Sequence, residues 1–159
     1  MSIPLSFFRL SEKGLGLWRD SRSDVDPEEP SETLRIEWEH FGLSFLIQRT
    51  LGRASLDQLP PEVFGAGLGE ELGEEMLRET VTLGPAEVSD GAAFMRRLED
   101  AALRASWDPS AMQMLDVYPA LAWNDRRSLE SLMKAMGSIR AFFERAKDVR
   151  ESIVVSIVG

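Results

Sequence analysis

Cysteine is absent from all 159 residues, which excludes disulfides, thiolate metal sites, redox pairs and cysteine nucleophiles together. Secretion gains no support from such a composition. Histidine and tyrosine occur once each, as His40 and Tyr118. One imidazole and no thiolate cannot furnish an ordinary zinc site, so no metal and no other cofactor is expected. Nowhere do about twenty apolar residues run together to span a bilayer. The opening Met1-Ser2-Ile3-Pro4-Leu5-Ser6 places no basic residue ahead of an apolar core of signal-peptide length. The expected location is the cytoplasm, with no membrane partner.

A basic surplus is missing as well, with 18 lysines and arginines against 27 acids and a net charge of −9. Arg96, Arg97, Arg126, Arg127, Arg140, Arg145 and Arg150 are interspersed with acids on predicted helices instead of lining a stripe, the pattern of solvated helix faces. A phosphate backbone would be repelled, and no nucleic-acid partner is expected. The acids gather in two places. Asp20, Asp24, Asp26, Glu28, Glu29 and Glu32 surround Pro27 and Pro30 against Arg22 alone, which predicts an exposed loop. Asp24-x-Asp26 is like the start of a calcium loop but lacks the required glycine and the closing glutamate. After Pro60-Pro61, a glycine-rich run from Gly65 leads into Glu70, Glu71, Glu74 and Glu75. Its glycine spacing is not that of a dinucleotide fingerprint, and glutamates occupy the place where phosphate would need a positive helix end.

What remains is the composition of an ordinary folded domain, 43% apolar and 28% charged. At this length roughly 70% of the unfolded chain's surface can be buried, so residues 1–159 are read as one domain. Leu5-Ser6-Phe7-Phe8-Arg9-Leu10 reads as a strand and Ser11-Glu12 as the start of a helix directing Leu15 and Trp18 at the sheet. Gly14 and Gly16 each weaken that helix by about 1 kcal/mol relative to alanine, so it should be short. Thr33 to Leu51 is expected to be one helix stopped by Gly52, with rows Leu34, Trp38, Phe41, Phe45 and Ile36, His40, Leu43, Ile47. Thr80–Leu83 reads as a short strand. Gly84-Pro85-Ala86-Glu87 then opens a helix running to about Ala105, with Val88, Ala92, Met95, Leu98 and Ala102 buried. Asp108 should cap a short helix bearing Met112 and Met114 as core filler. Tyr118-Pro119 forces an extended connector. Asn124 or Asp125 caps a long helix whose apolar face holds Leu129, Leu132, Met136, Ile139, Phe143 and Ala146. The β-branched run Ile153–Val158 has the form of a strand buried on both faces.

Several of these pieces, in this order, resemble the YfbM-like family of small bacterial proteins of unknown function. They are Phe7-Phe8-Arg9-Leu10-Ser11-Glu12, Trp38-Glu39-His40-Phe41-Gly42-Leu43, Leu83-Gly84-Pro85-Ala86-Glu87-Val88, Trp107-Asp108-Pro109-Ser110-Ala111-Met112, and Val117-Tyr118-Pro119 with Trp123. The resemblance spans nearly the whole chain. It implies an α/β fold, a single-domain three-layer sandwich with a small mixed sheet flanked by helices, and it implies no activity. Where relatives carry a Leu-Leu-Thr-Gly-like turn, this chain has Leu43-Ser44-Phe45-Leu46 and is expected to continue as helix.

Any imidazole base must be His40, with Glu37 one turn before it and Ser44 one turn after. That spacing is a poor triad, because serine inside a helix usually bonds back to its own backbone. An imidazole in an apolar row reads as a packing residue that needs a hydrogen-bond partner. Tyr118, with Asp116 and Asp125 close in sequence, could offer a hydroxyl, although rigid Tyr-Pro connectors are usually packing devices. His40, Tyr118, Asp116, Trp123 and Glu37 therefore form the candidate ligand or partner site, with no catalytic residue assigned. Two readings stand side by side. One is a non-enzymatic, immunity-like protein whose acidic loops engage a basic protein. The other is a small-molecule-binding or hydrolase-like domain using His40 and Tyr118.

Overall fold

The computed structural model describes residues 5–21, 30–52, 80–117 and 123–156. The chain begins with strand β1 (Leu5–Leu10) and the short helix α1 (Glu12–Ser21), followed by β2 (Glu32–Ile36) and α2 (Glu39–Thr50). After β3 (Thr80–Leu83) come α3 (Pro85–Arg97), α4 (Asp100–Ala105), α5 (Pro109–Met114), α6 (Arg126–Asp148) and β4 (Ser152–Ser156).

The strands form one sheet in the order β2-β1-β4-β3. Phe7 stands opposite both Leu34 and Val155, and Phe8 opposite Thr33 and Val154. Alternation sorts these pairs onto two faces. Leu5, Phe7, Leu83, Ile153 and Val155 join the main core with α2, α3 and α6, where Phe7 meets Phe142 and Phe143 at ring separations of 6.0 and 6.1 Å. Leu10 and Val154, with Phe8 packed against them, meet Leu15 of α1 in a smaller cluster on the opposite face. Helices thus lie on both faces of the sheet, and β4 is buried on both sides as its β-branched composition predicts.

Every pairing among the described residues is antiparallel, whereas a mixed sheet was expected. Parallel strands need both faces covered, and here only α1 is seen on the second face. Thr33 and Arg35 of β2 are exposed there, an arrangement that antiparallel pairing tolerates.

Two helix boundaries also differ from expectation. Glu32–Ile36 is a strand, with Leu34 and Ile36 turned inward and Thr33 and Arg35 outward, so the predicted helix from Thr33 begins only at Glu39. It continues without a break through Leu43–Leu46 to Thr50. The helix predicted from Pro85 to Ala105 divides at Leu98 and Glu99, both extended. Arg140 of α6 sits in that break: its guanidinium donates to the Met95 carbonyl at 3.2 Å, to the Leu98 carbonyl and to the Asp100 carboxylate. It thereby satisfies carbonyls that a continuous helix would have used itself. Beyond the break Ala102 is exposed, and so is Met114 at 85%, while Met112 is fully buried as core filler. Asp108 and Asp125 are the N-caps of α5 and α6, accepting from the backbone N–H of Ala111 at 3.1 Å and of Arg127 at 2.9 Å.

Glu32 ties three elements together. Its carboxylate accepts from Arg145 Nε at 2.8 Å and lies 3.2 Å from Arg9 Nε, joining β2 to α6 and β1. The hydrogen bond from Arg145, aided by the charges of Arg145 and Arg9, holds the Glu32 carboxyl below its ordinary value of 4.5. A carboxyl depressed in the folded state stabilises above its unfolded pKa and loses that contribution as pH falls through the folded one. Glu32→Gln is therefore expected to cost about 1 kcal/mol at pH 7, because solvent screening limits a partly exposed pair. The difference from wild type should be constant above about pH 5 and shrink below pH 4.5. Urea unfolding of both proteins from pH 3 to pH 8 checks this, and a pH-independent difference would contradict it.

Candidate functional site

Tryptophans organise the end of the molecule where α2, α4, α5 and α6 meet. Trp123 is fully buried, and its indole N–H donates to the Val117 carbonyl at 2.7 Å. Trp38 and Trp107 approach it edge-on, with ring separations of 5.7 and 6.1 Å and interplanar angles of 62° and 75°. Gly42 of α2 makes this packing possible. A Cβ there would stand 2.5 Å from the far edge of the Trp123 ring and 2.8 Å from the Leu132 methyls, so even alanine would force buried side chains apart.

Beside Trp123 opens a cleft of about 400 Å³. Trp107, Pro109, Trp123 and Leu129 form its apolar walls, and Arg104, Asn124 and Arg126 supply its polar groups. Arg104 is held by a two-pronged contact with Glu130, at 2.6 and 3.2 Å. That pairing keeps the Glu130 carboxyl below its usual range. Asp108 and Asp125, which flank the cleft in sequence, are likewise held low, first by the backbone N–H groups they cap and then by Arg49 and Arg127.

His40 lies in α2, buried at 8% exposure, with its ring 4.0 Å from that of Phe41 and tilted 33° to it. It begins a row with Ser44 and Gln48, spaced one turn apart and both buried. Ser44 Oγ has no hydrogen-bond partner among the described residues. A hydroxyl sealed within a regular helix is not presented for attack on a substrate, which removes the helical His40–Ser44 pair as a nucleophile and base. At 3.6 residues per turn, His40 and Gly42 point roughly 160° apart around α2. The imidazole therefore faces away from Trp123 and its cleft.

Of the other candidate residues, Glu37 and Asp116 are exposed where His40 is buried. Glu37 is exposed between β2 and α2 and accepts from Arg35 Nε at 2.7 Å. Asp116 is exposed in a left-handed turn after α5, at φ 50°. Tyr118, the Asp24-x-Asp26 pair and the Gly65–Glu75 run lie outside the described residues. Among the described residues no group of three or more His, Asp or Glu side chains could hold a metal ion, and no helix is long and apolar enough to cross a membrane.

Arg104, Trp107, Asn124 and Arg126 were not among the candidate site residues read from the sequence. One local signal was available. Trp107 immediately precedes the cap Asp108, and Trp123 stands two residues before the cap Asp125, so each indole is placed at a helix start. Their convergence depends on how α4, α5 and α6 pack, which no local pattern encodes.

Comparison with known proteins places the fold without adding an activity. The crystal structure of YfbM from Escherichia coli, described as a protein of unknown function, superposes with a TM-score of 0.71 at 15% identity, covering 99% of this chain and 100% of that one. No curated protein matches. A family model described as a domain of unknown function, DUF1877, matches residues 1–156, and the chain belongs to that family.

Proposed function

We propose that this protein is a non-enzymatic binding protein that engages a basic protein partner through its acid-rich segments. The observation that carries the reading is where the unbalanced charge resides. Among the described residues, the charged side chains largely neutralise one another across elements, as in Arg145–Glu32–Arg9, Arg140–Asp100, Arg104–Glu130 and Arg49–Asp108. Residues 22–29 hold Asp24, Asp26, Glu28 and Glu29 against Arg22. Residues 53–79 hold Asp57, Glu62, Glu70, Glu71, Glu74, Glu75 and Glu79 against Arg53 and Arg78. Nearly all of the net charge of −9 comes from these two stretches. Charge concentrated in this way steers an oppositely charged protein and raises its association rate more than its final affinity. A burial-dependent, packed His40 supports the same reading, since the hydrolase-like alternative needs an imidazole open to a substrate.

Affinity capture from the native host, with identification of the bound proteins at low and high salt, tests this. The expected result is a basic protein retained by wild type at low salt and released by salt. It should be lost from a variant carrying Asp24→Asn, Asp26→Asn, Glu28→Gln and Glu29→Gln together with Glu70→Gln, Glu71→Gln, Glu74→Gln and Glu75→Gln. Equal retention by the neutralised variant, or partners that are not basic, would contradict the proposal.

A further inference from the structure

We propose that Met114 is a reversible oxidation site, at which a hydroperoxide converts the thioether to the sulfoxide while the protein stays folded. This site is separate from the acid-rich segments and does not depend on what they bind.

Exposure singles this residue out. Among the described methionines, Met95, Met112, Met133 and Met136 lie in the core at 0, 0, 8 and 1% exposure, whereas Met114 is 85% exposed. A peroxide oxygen has to reach the sulfur, and a core sulfur is reached only when the packing around it opens. The contrast between Met112 and Met114 is built into the turn that ends α5. Residues two apart on a helix point roughly 200° from one another, so with Met112 facing the core Met114 faces solvent. Three backbone bonds fix that orientation: Leu115 N–H donates to the Ala111 carbonyl at 3.0 Å, Asp116 N–H to the Gln113 carbonyl at 3.1 Å and Val117 N–H to the Met112 carbonyl at 2.9 Å. Asp116 takes the left-handed position of this helix ending and Val117 packs back into the core.

The chemistry balances with a hydroperoxide alone. A lone pair on the Met114 sulfur attacks the terminal peroxide oxygen, and the S–O bond forms as the O–O bond breaks. Sulfur gives up two electrons, and the proton carried by the transferred oxygen passes to the departing oxygen, which leaves as water or as an alcohol. The product is a polar, chiral side chain in place of a flexible apolar one. In the core that change would disrupt packing, but the Met114 side chain has almost no packing to lose. Leu115 beside it is 56% exposed, so oxidation replaces half of an exposed apolar pair with a strong hydrogen-bond acceptor. The exposure that admits the peroxide also admits a sulfoxide reductase, which makes the step reversible.

Treatment of the whole protein with hydrogen peroxide, followed by tryptic digestion and tandem mass spectrometry, tests the assignment. The peptide from Ala105 to Arg126 carries both Met112 and Met114, and its fragments locate the added oxygen. Met114 should be oxidised about tenfold or more faster than Met95, Met112, Met133 and Met136, and unfolding in urea should bring all of these to similar rates. The treatment should shift the Tm of wild type no further than that of Met114→Leu, and reductases for the two sulfoxide epimers should restore the mass of the peptide. The proposal is overturned if any of the core methionines is oxidised as fast as Met114 in the folded protein, if the treatment lowers the Tm of wild type more than that of Met114→Leu, or if the reductases leave the sulfoxide in place.

Discussion

Replacing Trp123 by alanine is expected to remove about 3–5 kcal/mol of stability, the range for truncating a large buried aromatic side chain. The indole has no exposed surface, is wedged between Trp38 and Trp107, and fits against α2 only because position 42 has no side chain. Truncation would leave a void beside Trp38, Gly42 and Trp107 and would strand the Val117 carbonyl that the indole N–H now satisfies. Helices fixed by other contacts cannot close around such a void, so little of the loss is recovered. Trp123→Phe should cost less, because it keeps a ring but still abandons Val117. For a chain of this size, 3–5 kcal/mol corresponds to a fall in Tm of roughly 10 °C. A calorimetric melt of Trp123→Ala within 2 °C of wild type would show that the tryptophan corner does not support the fold.

A larger effect is expected from the paired change Ile153→Ala and Val155→Ala. Both side chains are buried, at 0% and 1% exposure, on the face of β4 that meets the main core. β4 is bonded on one side to β1 and on the other to β3, so it has no edge at which to relax. Large-to-small changes at such sites cost about 2–4 kcal/mol each, and the pair together approaches the entire stability of an ordinary domain. The expected product lacks a cooperative thermal transition and has lost its near-ultraviolet aromatic signal. Val154→Ala, in the small cluster with Leu10 and Leu15, should cost less, because the partly exposed Phe8 beside it can shift into the space. A double variant that melts cooperatively within a few degrees of wild type would mean that β4 is not central to the sheet.

The ends of the chain were legible in the sequence because their signals are local. Alternation and β-branched density mark β1 and β4, and the three-four spacing from Leu129 to Ala146 marks α6. β2 was missed because Leu34, Trp38, Phe41 and Phe45 happen to fall at helical spacing, while the pairing that makes Glu32–Ile36 a strand comes from β1, more than twenty residues away. The break after α3 was invisible for a similar reason, since Arg140, which occupies it, lies far along the chain. The resemblance to the YfbM-like family conveyed the layered fold but no chemistry. The burial of His40 followed from its apolar neighbours, although Ile36 proved to be in the strand and not in the helical row. The cleft at Trp107 and Trp123 could not be read at all, because its lining comes from α4, α5 and α6 together.

The most direct test of the account measures His40→Ala beside the charge-neutralised variant, recording thermal stability and capture of the basic partner for each. If the acid-rich segments bind and His40 packs α2 into the core, His40→Ala lowers Tm and retains the partner, whereas the neutralised variant keeps its Tm and releases it. A His40→Ala protein that melts like wild type but has lost the partner would contradict the account and return the function to the imidazole.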